Sequence, residues 1–266
     1  MNLILKGKSV VITGGASGIG RSVAEEFLKE GANVAVFSRT DSKVKEFLAV
    51  MSERFGKGRV YGESLSVTDP LQVRNFAEHV IEKFGKIDIW VNNAGVAVNR
   101  PFMEFSREEW DYINSINLVG VWECSKIAAK YMIEQKQGVI INISSYAALI
   151  PHAGGAIYAA TKAAVSSLTK TFAAELAPYG IRVVGIIPGM IRTAIAKENI
   201  SKYEEKYLEN ISMKRLGEPK DLAKPIVFLA SEAAGYITGT DVEITGGKYA
   251  VQNSDWPWEV KRKKIF

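Results

Sequence analysis

The chain has 266 residues, 47% of them apolar and 24% charged, a balance that belongs to folded globular proteins and excludes the disordered and fibrous classes. Its net charge of +5 is scattered except in Lys261-Arg262-Lys263-Lys264 at the very end, so it reads as a solvated tail with a mild attraction for anionic ligands, not as a nucleic-acid surface. Cys124 is the only cysteine and has no partner for a disulfide or a cysteine metal site; it reads as core filler, and no metal is expected.

No uninterrupted apolar run approaches the ~20 residues that span a bilayer. The opening Met1-Asn2-Leu3-Ile4-Leu5-Lys6 is too short and too quickly charged for a signal peptide, which gives the expectation of a cytoplasmic protein. The pattern then predicts a strand over residues 9–12, a helix over about 19–29 with Ile19, Val23, Phe27 and Leu28 on one face, and a strand over 33–37. A helix after Asp41, a short strand over 59–61, a helix after Asp69-Pro70 and a strand over 87–91 follow. A long helical region spans about 108–135, then a strand over 139–143, a helix over about 157–177 and a strand over 181–187. Strands apolar on both faces and joined by helices make a parallel sheet covered on both sides, a doubly wound α/β fold with ligands at the carboxyl ends of its strands. With no repeat, low-complexity tract or linker, residues 1–266 read as a single domain. The polar stretch over about 190–213, carrying Tyr203 and Tyr207, breaks the rhythm after a strand end and reads as a lid.

The first strand runs into Thr13-Gly14-Gly15-Ala16-Ser17-Gly18-Ile19-Gly20 and then directly into a helix, the setting a phosphate-binding turn requires. Gly14 allows the tight turn, Gly18 lets backbone approach a pyrophosphate, Gly20 lets the helix pack on the sheet, and the helix N-terminus presents free N–H groups to the anion. The plain alternative is an ordinary glycine-rich turn. At the end of the second strand, an acidic residue would bind a ribose 2′-hydroxyl and repel a 2′-phosphate. This chain has Ser38-Arg39-Thr40 there. Arg39 offers a planar donor fork suited to phosphate, so NADP is expected, with NAD still open and a solvated loop arginine as the alternative.

Tyr158 and Lys162 stand four apart at the start of a helix, on one face. A phenol with a pKa near 10 is a poor base, and bringing it to about 7 takes roughly 4 kcal/mol. A single cation at about 4 Å in a partly shielded site supplies that, so Lys162 is expected to make Tyr158 a usable acid/base. Ser145 follows the strand over 139–143, where its hydroxyl could hold a substrate oxygen, while Ser144 should point elsewhere because side chains alternate along a strand.

These motifs, together with Asn92-Asn93-Ala94-Gly95, Asn117 and Pro188-Gly189, resemble the short-chain dehydrogenase/reductase family in content and order from about Lys8 to Gly247. The resemblance implies a Rossmann-type fold and hydride exchange between a nicotinamide dinucleotide and an alcohol/carbonyl pair. It implies that Tyr158 is the proton donor, that Ser145 orients and polarises the carbonyl, and that Lys162 holds the nicotinamide ribose. Asn117 would anchor a proton-relay water. Gly14, Ser17, Gly18, Ile19, Gly20, Ser38, Arg39, Asn93, Ala94 and Gly95 would line the cofactor, with Pro188, Gly189 and Thr193 at the nicotinamide carboxamide and the mouth of the lid. It also implies a homotetramer, for which closed symmetry is the general rule.

Two features depart from the pattern. Ser66 stands where many relatives place an acidic or amide residue near the adenine, which leaves that contact to Val67. The chain also continues past Gly247 through Trp256-Pro257-Trp258 to Phe266, an extension over about 248–266 that could pack on a neighbouring subunit or cover an apolar patch. His152 reads as a pocket-wall residue. The candidate substrates are a 3-oxoacyl thioester or ketone and, as the alternative, a sugar or polyol. A cofactor-binding sensor without turnover is the rival from another class.

Overall fold

The computed structural model describes residue 3 and residues 5–262, apart from the side chains of residues 198 and 199. Lys263 and Lys264 of the basic tail, the last residues of the extension, and Met1, Asn2 and Ile4 lie outside the described residues.

Seven strands, all paired in parallel, form one sheet: β1 (Ser9–Thr13), β2 (Asn33–Ser38), β3 (Val60–Ser64), β4 (Ile89–Asn92), β5 (Gly138–Ile143), β6 (Ile181–Pro188) and β7 (Asp241–Ile244). Their spatial order is β3-β2-β1-β4-β5-β6-β7. The chain starts mid-sheet, winds outward to β3 and returns to β4 beside β1, so connections leave in opposite directions at β1 and β4 and open a crevice at their carboxyl ends.

Parallel pairing requires crossover helices, and these bury both faces of the sheet. One apolar layer packs α1 (Gly18–Lys29) and α2 (Asp41–Phe55), through Val23, Phe27, Phe47 and Met51, together with Leu222 and Ile226 of α8 (Pro219–Ala230). The opposite layer packs α3 (Pro70–Phe84), α5 (Gly120–Gln135) and α6 (Ala156–Leu176) against Val11, Trp90 and Ile140. Cys124 sits in this second layer, fully buried, and burial pushes its thiol pKa far up, as befits an inert packing residue. Among the described residues no helix is long and apolar enough to cross a membrane.

The helical region expected over 108–135 is helical throughout but changes register: α4 (Arg107–Asn114) is followed by a π segment, Ser115–Val119, before α5. The Gly120 N–H donates to the Ser115 carbonyl five residues back, the hydrogen-bond step of a π turn. Strand β7 and helix α8 are additions to the expected elements. β7 is short, half-buried and carries Asp241 and Glu243, so it lacks the apolar run that marks the inner strands. α8 begins at Pro219, which fits the first helical turn because that position needs no N–H donor.

Candidate active site

The glycine turn follows from local sterics. Gly14 and Gly18 have φ of 65° and 55°, the left-handed region that L-residues disfavour. A Cβ on Gly20 would lie 2.6 Å from the Asn93 amide nitrogen and 2.6 Å from the Gly14 carbonyl oxygen, and one on Gly15 would lie 2.5 Å from Val36. The helix therefore comes down on the sheet with no room for a side chain. Ser17 and Gly18 are exposed at the start of α1, whose first turn has no side-chain cap and no acidic residue, while Ile19 is partly buried against the core. Uncapped N–H groups at that end are the donors an anion needs. Above Gly18 the nearest neighbour is the Thr193 methyl, 3.8 Å from where a Cβ would be.

Thr13 and Asn93 lock this turn to the end of β4. The Thr13 hydroxyl accepts from the Asn93 and Ala94 N–H groups at 2.9 and 2.8 Å, and the Asn93 amide donates to the Thr13 carbonyl at 2.9 Å. The Ser38 hydroxyl accepts from the Ala16 N–H at 3.3 Å. Arg39 is exposed and donates to the Tyr112 hydroxyl at 3.1 Å, with its guanidinium carbon 5.9 Å from the ring centre. Val67 is 8% exposed, with its side chain turned into the second core layer and against Gly120, so its backbone is the part left to meet a ligand.

The catalytic candidates come together from β4, β5, the π segment and α6. The Asn117 amide, fully buried, accepts from the Val96 N–H and donates to the Val96 carbonyl, both at 2.9 Å, and reaches the Thr161 hydroxyl at 3.3 Å. Thr161 in turn donates to the Tyr158 carbonyl at 2.7 Å. The Lys162 ammonium donates to the Ile143 carbonyl at 2.8 Å and lies 5.8 Å from the Tyr158 ring centre. Gly95 closes the group: a Cβ there would stand 3.4 Å from Asn117 Oδ1 and 3.5 Å from Lys162 Nζ. Ser145 is partly exposed and accepts from the Ala147 N–H at 3.1 Å, whereas Ser144 is buried and donates to the Lys162 carbonyl at 2.9 Å. Pro188 ends β6, and Gly189 is pressed so closely against Thr245 that a Cβ would lie 2.7 Å from its Cα.

The electrostatics differ from the expected depression of the Tyr158 pKa. Burial pushes the phenol above its usual value, and hydrogen bonding with Ser145 only opposes that. Lys162, drawn to a carbonyl oxygen, contributes no lowering; burial brings its own pKa from 10.5 to about 8. At neutral pH the pair is thus a protonated phenol beside a buried ammonium, a proton donor ready for a carbonyl oxygen.

The segment expected to be a lid and the tail are one assembly. Helix α7 (Lys197–Glu209), kinked at Tyr203, encloses a small core with Ile200, Ile211 and Leu216. The extension folds back onto it, and α9 (Trp256–Arg262) buries Val260. The Trp258 indole donates to the Ser212 carbonyl at 2.8 Å, the Ser254 hydroxyl to the Glu209 carbonyl at 2.6 Å, and Lys214 pairs with Asp255. Lys248, next to the terminal glycines, has its ammonium among the rings of Tyr146, Tyr207 and Tyr249. His152 Nε2 donates to the Asn99 amide oxygen at 3.2 Å, and the ring packs over Gly155. The sequence pattern does not single out Thr13, Gly15, Tyr112, Thr161 or Lys248. Thr13 and Gly15 lie inside the glycine motif and could have been read there, but the others depend on contacts between distant elements.

The family profile described as Enoyl-(Acyl carrier protein) reductase matches residues 14–248. The 3-oxoacyl-[acyl-carrier-protein] reductase FabG of Thermotoga maritima is 38% identical over 247 residues, covering 91% of this chain and 98% of the relative. A short-chain type dehydrogenase/reductase from Mycobacterium marinum superposes with a TM-score of 0.88 at 34% identity, over 94% of this chain and 98% of that one. A gluconate 5-dehydrogenase from Burkholderia cenocepacia, solved with NADP and tartrate, has a TM-score of 0.88 at 30% identity, over 94% and 98%. The fold and the relatives define an oxidoreductase of the NAD(P)-binding kind. The chain belongs to the short-chain dehydrogenase/reductase family.

The buried charge has a measurable consequence in the cofactor-free protein. With its folded pKa near 8 against 10.5 when exposed, Lys162 withholds about 3 kcal/mol of stability below pH 8, where both states carry the charge. Between about pH 8 and 10.5 the folded state loses its proton first, and stability is regained. Lys162→Met removes the penalty and should raise the neutral-pH melting temperature by several degrees, the gap to wild type shrinking by pH 10. Thermal melts of both proteins at pH 7 and pH 10 check this, and a gap that does not change with pH sinks it.

Proposed function

We propose that the chain is a single-domain enzyme, acting in the cytoplasm, that interconverts an alcohol and a carbonyl compound with NADP(H), using Tyr158 as the acid/base. The observation that carries this reading is the convergence of Tyr158, Ser145 and Lys162 beside an uncapped helix N-terminus and a glycine turn at one end of a parallel sheet. The glycine turn fits a pyrophosphate because a Cβ at exposed Gly18 meets nothing but the Thr193 methyl. Gly14, Ser17, Gly18, Ile19 and Gly20 would hold the phosphates, and Asn93, Ala94 and Gly95, with Lys162, the nicotinamide side; Pro188, Gly189 and Thr193 would close it. The nicotinamide, when bound, supplies and accepts the hydride.

The residues' own work is orientation and proton transfer. Ser145 and Tyr158 offer hydroxyls to the carbonyl oxygen, so charge developing there is met by two donors. Tyr158 gives its proton to that oxygen in reduction, and in oxidation must first lose it, so the oxidative rate should rise with pH more steeply than the reductive one. Asn117 spends its amide on Val96 and Thr161, holding the π segment where a relay water could reach Lys162. A sensor without turnover would have no use for a Ser145–Tyr158–Lys162 group whose buried lysine lowers stability. Tyr158→Phe should reduce turnover at least ~100-fold, the scale of acid/base catalysis, with little change in cofactor affinity; a variant retaining a tenth of the wild-type rate removes Tyr158 from the role.

For the cofactor, support comes from Arg39, pre-positioned by Tyr112, from the absence of a carboxylate over 38–40, and from the neighbour solved with NADP. Charge-assisted hydrogen bonds to a 2′-phosphate are worth about 1.5–3 kcal/mol each. Ser38→Asp with Arg39→Leu should shift the ratio of kcat/KM from NADPH toward NADH by 10- to 100-fold, since an aspartate there can still accept from Ala16 and also bind a ribose hydroxyl. Equal wild-type efficiency with both cofactors makes Arg39 a solvated arginine.

The relatives point to 3-oxoacyl thioesters on one side and gluconate on the other. The chain is further read as a homotetramer. Trp110, Tyr112, Val119 and Trp122 are each more than 40% exposed along α4, the π segment and α5, an apolar face suited to a two-fold contact. Light scattering at micromolar concentration should give the mass of four chains; a monomer defeats this assignment.

A further inference from the structure

The proposed reaction leaves one charged group near the site without a task. Lys248 leaves the strand end of β7 just after Gly246 and Gly247, and its ammonium lies 5.2, 5.7 and 5.5 Å from the ring centres of Tyr146, Tyr207 and Tyr249. These rings belong to three different parts of the substrate side. Tyr146 directly follows Ser145, Tyr207 stands on lid helix α7, and Tyr249 opens the tail and stacks on Tyr146 at 6.0 Å. Lys248 also acts electrostatically on His152, in the loop before α6. Backbone contacts fix it there: Lys248 bridges to Ile211, and the Tyr249 N–H donates to the Asn210 carbonyl at 2.9 Å.

Among the described residues Lys248 has neither an ion pair nor a hydrogen-bond acceptor for its ammonium. Glu243, the carboxylate felt by Tyr146, makes no pair with it. Other partly buried cations of this protein are neutralised or bonded: Lys214 by Asp255 and two carbonyls, Arg182 by the carbonyls of Ile237 and Ser231. A cation enclosed by aromatic faces gains about 0.5–2 kcal/mol from them, which does not replace the hydration or the counter-charge that enclosure removes. Such a site is completed by water or by an anion brought from outside.

We propose that Lys248 is the anchor for a carboxylate carried by the substrate, so that the carbonyl compound reduced at Ser145 and Tyr158 is an oxo acid rather than a neutral ketone or ester. This rests on the reductase reading above. One ammonium matches one negative charge. The burial of His152 and the nearness of Lys248 hold the imidazole below its ordinary pKa, so His152 adds no second positive charge for a phosphate dianion. The phenols of Tyr207 and Tyr249 add donors for the carboxylate oxygens, and because Tyr207 rides on the lid, an anion held by Lys248 would also draw the lid over the reacting carbon.

The test compares free acids with their methyl esters as carbonyl substrates: acetoacetate, levulinate, 5-oxohexanoate and 5-ketogluconate, each with NADPH and NADH. The acid-to-ester ratio of kcat/KM should exceed about 10 for at least one chain length, most of it in KM, and fall about 10- to 100-fold in Lys248→Met, while Lys248→Arg retains it. A phosphate-ester arm, dihydroxyacetone phosphate, should show no comparable preference. A wild-type ratio near one for every pair, a ratio unchanged in Lys248→Met, or a preference for the phosphate ester overturns the assignment. If no carbonyl is turned over, the reductase reading fails by itself. The melting shift produced by gluconate in the NADP-saturated protein then decides for Lys248: present in wild type and lost in Lys248→Met supports the anchor, equal in both removes it.

Discussion

Lys162 carries its ammonium into the interior with one carbonyl, that of Ile143, as its hydrogen-bond partner, and the surrounding elements are arranged around that charge. An ammonium so placed needs its neighbours held at fixed distance, because a shift of either the strand or the helix would leave it unbonded. Gly95 brings the backbone close to both groups, a Cβ there falling within van der Waals contact of Asn117 Oδ1 and Lys162 Nζ. Asn117 fixes the chain after β4 through both polar groups of Val96, and Thr161 ties it to the helix that bears Tyr158 and Lys162. The π turn places Asn117 in this contact by shifting the register of an otherwise regular helical stretch; such turns in helices are frequent at functional sites. Stability is given up locally for a geometry in which a phenol, a hydroxyl and a cation share one space.

A second set of polar contacts secures the sheet beneath that space. The Trp90 indole donates to Asn92 at 2.9 Å, Asn92 donates to Ser125 and Asn142 at 2.9 and 2.8 Å, and Asn142 donates to Thr169 at 2.9 Å. These residues are all at most 2% exposed, and every one of these buried groups has a partner, the condition under which a polar core rigidifies rather than weakens a fold. The chain links β4, β5, α5 and α6, the elements that deliver Gly95, Ser145 and Tyr158. Asn92, within the Asn-Asn-Ala-Gly run, therefore serves the sheet, while its neighbour Asn93 serves the glycine turn.

The inner strands were legible in the sequence because burial on both faces writes an unbroken apolar run, and the glycine turn because its spacing answers a steric demand that only glycine meets. Tyr158, Lys162 and Ser145 were legible through helical and strand periodicity joined to family resemblance. β7 was not, since an edge strand of four residues with two carboxylates has no apolar signature. Nor was the direction of the Tyr158 pKa. A four-residue spacing puts tyrosine and lysine on one face, but whether the ammonium turns to the phenol or to the Ile143 carbonyl is settled by the neighbouring strand. The tail illustrates the same limit: Trp256 and Trp258 announce a contact, yet only the fold selects the lid of the same chain as the surface that Trp258 meets.

Lid, tail and cleft follow one electrostatic logic. Arg39 at one end of the crevice, the uncapped N-terminus of α1 in its middle and Lys248 at the lid side are all positive or positively polarised, and none has a carboxylate partner among the described residues. Several basic side chains elsewhere do have such partners, as in Arg21 with Glu46, Arg54 with Glu25 and Arg215 with Asp221. Positive groups gathered along one crevice concentrate the field there, since low-dielectric walls on both sides focus it. On the proposed reading, that field is complementary to a phosphorylated dinucleotide along most of the crevice and to a carboxylate at its lid end. The tail then has a physical reason to be long. By binding Ser212, Glu209 and Lys214 it holds in place the segment against which Lys248 and Tyr249 are seated, so the anion at that end is met by groups already fixed rather than by a loop that must be ordered at the moment of binding.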